Sequence, residues 1–232
     1  MTNIALTEFL AQFITEERLQ RFDDVLQNRT RRLTVVLENI HHAHNASACL
    51  RTCDCLGIQD VHVVESMNSF EPNRDISLGS SQWLTIRRFQ NEASAEHDAS
   101  PTIRCLQELK DNGYRILTTS PRQHSRSLYD LQADQPTAVV FGAEQLGVSD
   151  EAVEFADSLI HIPMYGFTES FNISVSVALV MQHLLADLRR QSDWQLAEAE
   201  VQELRDRWIR ASLGEKLAPL IRRFEADLAA DD

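Results

Sequence analysis

Short runs of β-branched and other apolar residues alternate with stretches of helical spacing through most of the chain, and this alternation constrains the fold more than any other feature. The run at 33–40 is followed by a helical stretch at 46–56, and a second run occupies 60–65. Such near-continuous apolar runs are typical of parallel strands that are covered by helices on both faces. The pattern predicts an α/β fold with a parallel sheet flanked by helices.

The boundaries of these elements follow from capping residues and glycines. Asn45 is predicted to cap the first of these helices, Pro101 and Gly113 to begin and end another, and Ser149 to cap a short one. Further strands are predicted at 83–89, 114–120, 137–141 and 158–163, and further helices at 101–113, 148–157 and 171–191.

Helical segments without strands precede and follow this alternation. Residues 16–28 place apolar side chains at helical spacing, with Arg18, Arg21 and Arg29 on the other face. Two more amphipathic helices are predicted after Ser192. We therefore predict an N-terminal helical segment at 1–30, a main domain at 31–191 and a C-terminal helical extension at 192–232.

The charge of the chain argues against nucleic-acid binding, whereas its distribution leaves that binding open. The formal net charge is -13, from 35 acidic and 22 basic residues, so the field of the whole molecule repels nucleic acid. Binding to phosphates needs a local basic surface, and several arginines cluster between 18 and 32. Acidic residues are interleaved there, so an ordinary solvated helix face explains the cluster equally well.

Composition also bounds the cellular setting. No stretch approaches the roughly 18 uncharged apolar residues of a membrane helix, and residues 1–20 lack the features of a secretory signal. We expect a soluble, cytoplasmic protein with reduced cysteines and no membrane contact. Although histidines at 41, 42 and 44 lie just before Cys49 and Cys53, no C-x2-C pair is present, and we expect no metal site.

Ligands of parallel sheets bind beyond the carboxyl ends of the strands, which directs attention to the segments 41–51, 118–125, 141–147 and 162–174. Segment 141–147 lacks both the G-x-G-x-x-G pattern and a Lys-Ser/Thr pair, which disfavours a nicotinamide or triphosphate site. Its Glu144 is either a site carboxylate or ordinary helix-start chemistry.

The segment 162–174 has a different composition. It combines Gly166 with the hydroxyl of Ser170 and the amide of Asn172, and almost no acidic charge. Such a loop can wrap a neutral or cationic small molecule with backbone groups. Capping of the following helix by Ser170 or Asn172 is compatible with that role.

With these segments in view, the chain resembles the SpoU/TrmH family of S-adenosylmethionine-dependent RNA ribose 2'-O-methyltransferases, within the SPOUT superfamily. Its tRNA guanosine 2'-O-methyltransferase branch is the most similar. The three family motifs stand here as Asn45 with Arg51 six residues later, as Gly-x-Glu-x-x-Gly at 142–147, and as 162–166 followed by Ser170-Phe-Asn-Ile-Ser174. Phe171 replaces the leucine that is more common in the family.

The resemblance implies a fold and a reaction. The fold is an α/β sheet whose C-terminal part forms a deep trefoil knot, in a homodimer with active sites near the subunit interface. The reaction is methylation of the ribose 2'-hydroxyl of guanosine 18 in the D-loop of tRNA, with S-adenosylmethionine as donor. The implied cofactor-binding residues are Thr119, Gly142, Ile162, Met164 and Phe171.

The resemblance also implies catalytic residues. By this resemblance, Arg51 activates the hydroxyl. Because a guanidinium keeps its charge, we expect Arg51 to stabilise the developing oxyanion or to bind a phosphate rather than to act as a base. Asn45 orients Arg51 or caps its helix, and Glu144 holds the arginine or an amide. Ser170 and Asn172 fix the loop around the donor and the ribose.

Docking of tRNA is assigned to residues 1–30 and to arginines, namely Arg18, Arg21, Arg29, Arg122 and Arg189. Two alternatives stay open: a SpoU enzyme that acts on rRNA or another tRNA nucleotide, and a non-catalytic RNA-binding protein of the same fold. A nucleotide-binding enzyme of small-molecule metabolism is disfavoured by the missing phosphate loop.

Overall fold

The structure is a computed structural model that describes residues 4–71, 79–91, 99–120 and 124–231. It divides into two compact units. Residues Met1–Arg29 with Gln195–Asp232 form a helical unit, and Thr30–Trp194 form a sheet unit. The predicted main domain, 31–191, falls within the sheet unit.

Helices and strands are numbered here along the chain. The helices are α1 Ile4–Ala11, α2 Glu16–Leu26, α3 Ala43–Leu56, α4 Pro101–Asp111, α5 Asp150–Phe155, α6 Ile173–Leu188, α7 Glu198–Leu213 and α8 Leu217–Asp231. The strands are β1 Leu33–Glu38, β2 Asp60–Glu65, β3 Thr85–Gln90, β4 Arg115–Thr119, β5 Arg126–Ser127, β6 Thr137–Phe141 and β7 Ser158–His161.

The sheet unit is built on one seven-stranded sheet in the order β3-β2-β1-β6-β4-β7-β5. Every strand pair is parallel. The predicted α/β fold with a parallel sheet is confirmed, while the trefoil knot stays a prediction. Because all the strands run the same way, their carboxyl ends lie at one edge of the sheet, where the predicted site segments begin.

Alternation along the strands places the core on both faces of the sheet. Leu33, Val35 and Leu37 of β1 pack into the cluster that includes α3 and α6, whereas Val36 packs into the cluster that includes α4 and α5. Successive side chains of a strand point to opposite faces of the sheet. Because both faces are covered here, the apolar runs of the sequence are nearly continuous.

Most of the predicted helix starts agree with the structure. The Ser100 hydroxyl accepts from the Ile103 N–H at 3.2 Å ahead of Pro101, and the Ser149 hydroxyl accepts from the Ala152 N–H at 3.1 Å. The prediction for Asn45 is wrong, because α3 begins two residues earlier, at Ala43, with His42 in the cap position. Helix α1 and strand β5 were not predicted.

The helical unit joins the two chain termini, which were predicted as separate extensions. The rings of Phe22 and Trp208 lie 5.7 Å apart in an edge-to-face arrangement, and Phe9 contacts Phe224 at 5.3 Å. The guanidinium Nε of Arg205 donates to Asp23 at 2.7 Å. None of the described helices is both long and apolar enough to cross a membrane.

Candidate active site

A cavity of about 430 Å³ opens at the carboxyl ends of β4, β6 and β7. These strands are neighbours in the sheet, so the loops that follow them meet there. The structure brings all five predicted cofactor residues, which lie far apart in the sequence, to the wall of this one cavity: Thr119, Gly142, Ile162, Met164 and Phe171. Their contact with a methyl donor stays a prediction.

One wall is formed by residues 142–148, which we call the pocket loop. The loop folds back tightly, since the Gly147 N–H donates to the Ala143 carbonyl at 2.7 Å and Gly147 has a φ of +72°. A Cβ on Gly142 would lie 2.1 Å from the backbone carbon of Gly147. Only glycine fits at 142, which is the physical reason for the first glycine of the Gly-x-Glu-x-x-Gly pattern.

Three predicted catalytic residues are joined by hydrogen bonds, and we call them the amide–carboxylate cluster. The Asn45 Nδ2 donates to Glu144 Oε1, and the Asn172 Nδ2 donates to Asn45 Oδ1 at 3.1 Å. The cluster therefore connects α3, the pocket loop and the start of α6. Glu144 and Ser170 also line the cavity, so the cluster lies at its mouth.

Asn172 has a second role at the start of α6. Its Oδ1 accepts from the Ser174 N–H at 2.9 Å and from the Ser174 hydroxyl at 2.7 Å, so it caps the helix as predicted. Asn172 is thereby held in place from its own helix while its Nδ2 reaches Asn45. Its capping role and its place in the cluster are compatible.

Arg51 lies elsewhere on α3. It is exposed and does not line the cavity that the described residues form. Six residues of helix separate it from Asn45, which is about 9 Å along the helix axis. Three of the five predicted catalytic residues are bonded together and Ser170 lines the cavity, whereas Arg51 is about 1.7 turns away from Asn45 along α3.

The cavity wall includes residues that sequence reasoning missed. Glu169 lines it, so the segment 162–174 does bring a carboxylate to the site, contrary to the reading of that loop as almost uncharged. His161, the last residue of β7, lines it as well, and its Nδ1 lies 2.9 Å from the Ser125 hydroxyl. His161 ends a strand and Glu169 adjoins Ser170, so the expectation that ligands bind beyond strand ends had pointed to their neighbourhood.

Cys49 of α3, near the site, is unsuited to act as a nucleophile or a metal ligand. Burial, and then the charges of Cys53 and Glu144, raise the pKa of the Cys49 thiol well above its ordinary value. A thiol that stays protonated is neither a nucleophile nor a metal ligand. Across the ranges that the structure describes, no three His, Cys, Asp or Glu side chains are grouped as a metal would require.

The predicted RNA-binding arginines differ in exposure. Arg18 and Arg21 are exposed on α2. Arg29 is only 1% exposed, with its guanidinium 5.5 Å from the Trp208 ring centroid, and this burial removes it from the RNA-binding prediction. Arg189 is exposed and donates to the Leu56 carbonyl at 3.1 Å. Arg122 lies outside the described residues.

The chain is similar to known proteins in both sequence and fold. The sequence profile of the SpoU rRNA Methylase family matches residues 32–182. The tRNA (guanosine(18)-2'-O)-methyltransferase of Borreliella burgdorferi is 44% identical over 202 residues, which are 87% of this chain and 88% of that protein.

Solved structures show the same fold. The TrmH/SpoU tRNA modifying enzyme of A. aeolicus has a TM-score of 0.75 and 31% sequence identity, and the match covers 85% of this chain and 98% of that one. The SpoU methyltransferase AviRb from Streptomyces viridochromogenes, whose structure is a complex with AdoMet, matches with a TM-score of 0.55 and 20% identity over 73% of this chain and 62% of that one, which shows the fold alone.

Proposed function

The chain belongs to the SpoU methylase family of RNA 2'-O-methyltransferases, and from that premise we propose that it methylates the ribose 2'-hydroxyl of guanosine 18 in the D-loop of tRNA. The proposed methyl donor is S-adenosylmethionine. The observation that carries the proposal is that two of the three sequence motifs line one cavity and that Asn45 of the first motif is joined to them, through its bond to Glu144 and the bond of Asn172 to Asn45.

The cavity suits S-adenosylmethionine in size and chemistry. Its volume of about 430 Å³ lies in the range of small-molecule sites. Apolar side chains of Ile162, Met164 and Phe171 would hold the adenine ring, and the backbone of Gly142 and Ile162 would supply polar groups. The carboxylates of Glu144 and Glu169 give the wall a negative charge, which favours a cationic ligand. When bound, the donor supplies a methyl group on a positively charged sulfur.

The chain's own residues would position the acceptor and stabilise charge. Glu144 holds the Asn45 amide, and Asn45 in turn holds Asn172, so the cluster fixes the start of α3 against the loop beside Ser170. Ser170 lines the same cavity, and its hydroxyl would contact the ribose.

Arg51 would act on the developing negative charge of the ribose oxygen. A guanidinium keeps its charge at any physiological pH, which makes it a stabiliser of the oxyanion or an anchor for the neighbouring phosphate. Because Arg51 lies along α3 from the cluster, the ribose would bind between the cavity mouth and the exposed surface of that helix.

We also propose a homodimer. Several large apolar side chains are exposed around the cavity and along α6, by 42% to 108%: Leu146, Tyr165, Phe167, Phe171, Val175 and Leu179. An apolar surface of this kind is typical of an interface. Sedimentation equilibrium tests it, and a monomer at micromolar concentration would contradict it. Free cysteines and a tRNA substrate favour a cytoplasmic location.

The decisive experiment maps the methylated ribose. The protein is incubated with labelled S-adenosylmethionine and tRNA transcripts, and the label is located by sequencing-gel analysis of the products. We expect the label at guanosine 18, and none on a matched transcript with adenosine at that position. Label at another tRNA nucleotide, or on rRNA alone, would favour the sibling enzyme. Absence of S-adenosylhomocysteine binding in calorimetry would favour a non-catalytic protein.

A further inference from the structure

Glu38, the last residue of β1, is a buried carboxylate that lies outside the three motifs. It is 1% exposed. Its Oε1 accepts from the Thr102 hydroxyl at 2.7 Å and from the Ser149 hydroxyl at 2.7 Å, and its Oε2 accepts from the Ser149 N–H at 2.8 Å. Burying a carboxylate is costly unless hydrogen bonds compensate, so the position of Ser149 is tied closely to Glu38.

Ser149 is the first residue after the pocket loop. It directly follows Val148, which lines the cavity, and it caps α5 through the Ala152 N–H. The other end of the loop continues from β6 at Phe141. Two of the three hydrogen bonds of Glu38 therefore go to the far end of the loop, the only end that is not already part of the sheet.

The pocket loop has little room to absorb a displacement of that end. A Cβ on Gly142 would lie 2.3 Å from the Val148 nitrogen, so the backbones at the start and the end of the loop are in close contact. Movement of Ser149 would therefore change the spacing of Gly142 from Val148. Both residues line the cavity in which the donor is proposed to bind.

We propose that Glu38 is a positioning residue for the methyl donor: it acts through Ser149 to hold the pocket loop in the conformation that binds the cofactor. The identity of the ligand rests on the proposed function. Glu38 does not line the cavity itself, and its effect is on binding of the donor rather than on the transfer step.

Glu65 provides a matched control within the same sheet. It is the last residue of the neighbouring strand β2 and is 7% exposed. It accepts from Arg88 Nε at 2.8 Å, from the Phe70 N–H at 2.7 Å and from Gln90 Nε2 at 2.9 Å. None of these partners lines the cavity. The two glutamates thus share residue type, strand position and burial, but only Glu38 holds the pocket loop.

The test compares Glu38→Gln with Glu65→Gln in the full-length protein. Glutamine keeps the volume but turns one acceptor oxygen into a donor, so at least one hydrogen bond is lost in each variant. We expect both variants to melt at lower temperature. We expect only Glu38→Gln to weaken S-adenosylhomocysteine binding in calorimetry, by about 10-fold, the loss typical when a supporting hydrogen bond behind a binding group is removed. The KM for S-adenosylmethionine should rise with it, while the KM for tRNA and the kcat at saturating donor stay near wild type.

Two milder variants separate the loop side of Glu38 from its α4 side. Ser149→Ala removes the hydroxyl bond to Glu38 on the loop side, together with the cap of α5, and should weaken cofactor binding, whereas Thr102→Val removes the bond on the α4 side and should not. These variants decide the matter if Glu38→Gln does not fold.

The proposal is overturned if Glu38→Gln binds S-adenosylhomocysteine within twofold of wild type, or if Glu65→Gln weakens binding equally. With the milder pair, equal effects of Ser149→Ala and Thr102→Val would also overturn it. Failure of the proposed function is seen separately, because wild-type protein would then bind no S-adenosylhomocysteine or leave guanosine 18 unmodified.

Discussion

The polar side chains inside the sheet and those at the mouth of the cavity are similar in kind but differ in exposure. Glu38 and Glu65 are buried, and each accepts several hydrogen bonds. Glu144 is exposed and accepts from Asn45. A glutamate side chain is thus buried at two positions, where it must be fully hydrogen-bonded, and exposed at a third, where water can replace its partner.

The difference separates stability from function. A buried polar group that loses its partner destabilises the fold by about 1–3 kcal/mol, whereas an exposed hydrogen bond contributes little. Substitutions at the cavity mouth should therefore lower binding or activity without unfolding the protein. Substitutions inside the sheet should change stability first. The predictions below test this separation, starting with the largest expected effect.

Gly142→Ala should abolish cofactor binding. The added methyl group would lie 2.1 Å from the Gly147 backbone, so the pocket loop has to open. Calorimetry with S-adenosylhomocysteine should show no binding, while circular dichroism shows a folded protein. Gly113→Ala is the control, since Gly113 has a φ of +82° but lies outside the cavity wall, and this variant should lose stability and keep binding. Binding by Gly142→Ala within twofold of wild type would contradict the prediction.

Arg51→Ala should lower the rate of methyl transfer by about 100- to 1,000-fold, as expected when one group that stabilises a developing oxyanion is removed. Arg51 is exposed, so the melting temperature and the affinity for S-adenosylhomocysteine should stay near wild type. Single-turnover methylation of tRNA measures the effect. Arg51→Lys keeps the charge but loses the planar fork, and its intermediate rate would distinguish geometry from charge. Normal turnover by Arg51→Ala would remove Arg51 from the mechanism.

His62 of β2 is a buried polar side chain, and the pH dependence of stability tests its contribution. Burial, and then the charge of Arg87, lower the pKa of His62 from 6.5 to about 4. The unfolded chain binds a proton near pH 6.5 and the folded chain only near pH 4, so stability is full above 6.5 and is lost as the pH falls towards 4. The loss amounts to about 3 kcal/mol.

Denaturant unfolding between pH 7 and 4 measures this dependence. In His62→Gln, the loss of stability between pH 7 and 4 should be smaller by about 3 kcal/mol. His41→Gln, at an exposed position, should leave the pH dependence of stability unchanged. An unchanged slope in His62→Gln would show that other groups carry the acid sensitivity.

The fold could be predicted from the sequence because burial on both sheet faces dictates the pattern. The strand at 60–65 was predicted with its observed bounds, and the start of the helix at Pro101 was predicted from that proline. Two-residue β5 has too few residues to show a period, and α1 lacks a polar face that would mark it as amphipathic.

The site could be predicted in part. The residues of the cavity wall follow strands, and a parallel sheet brings strand ends together, so Gly142 and Ile162 could be predicted as neighbours. The bond from Asn172 to Asn45 spans 127 positions and depends on how α3 meets α6, which no local pattern contains. The burial of Arg29 is also a tertiary effect, since Trp208 lies in the other terminal segment.

Glu144→Gln should lower methyl transfer by about 10-fold, since it weakens the acceptor for Asn45 without removing it. The expected effect is smaller than that of Arg51→Ala because Glu144 acts through its neighbours. Melting temperature should change little, unlike that of the buried Glu65→Gln. A large loss of stability in Glu144→Gln would break the separation between exposed and buried carboxylates.

The smallest effect is expected for tRNA docking by the helical unit. Replacing Arg18 and Arg21 of α2 together by alanine should raise the KM for tRNA a few-fold, because two exposed charges that would face phosphates are lost. The dependence of tRNA affinity on salt should become shallower by about two in slope on a log–log plot, while cofactor affinity stays unchanged. Replacing Arg222 and Arg223 of α8, which are exposed in the same unit, gives the matched control. If the α8 pair changes the salt dependence and the α2 pair does not, docking belongs to the C-terminal helix, and exposure of a basic residue on α2 is then no guide to its function.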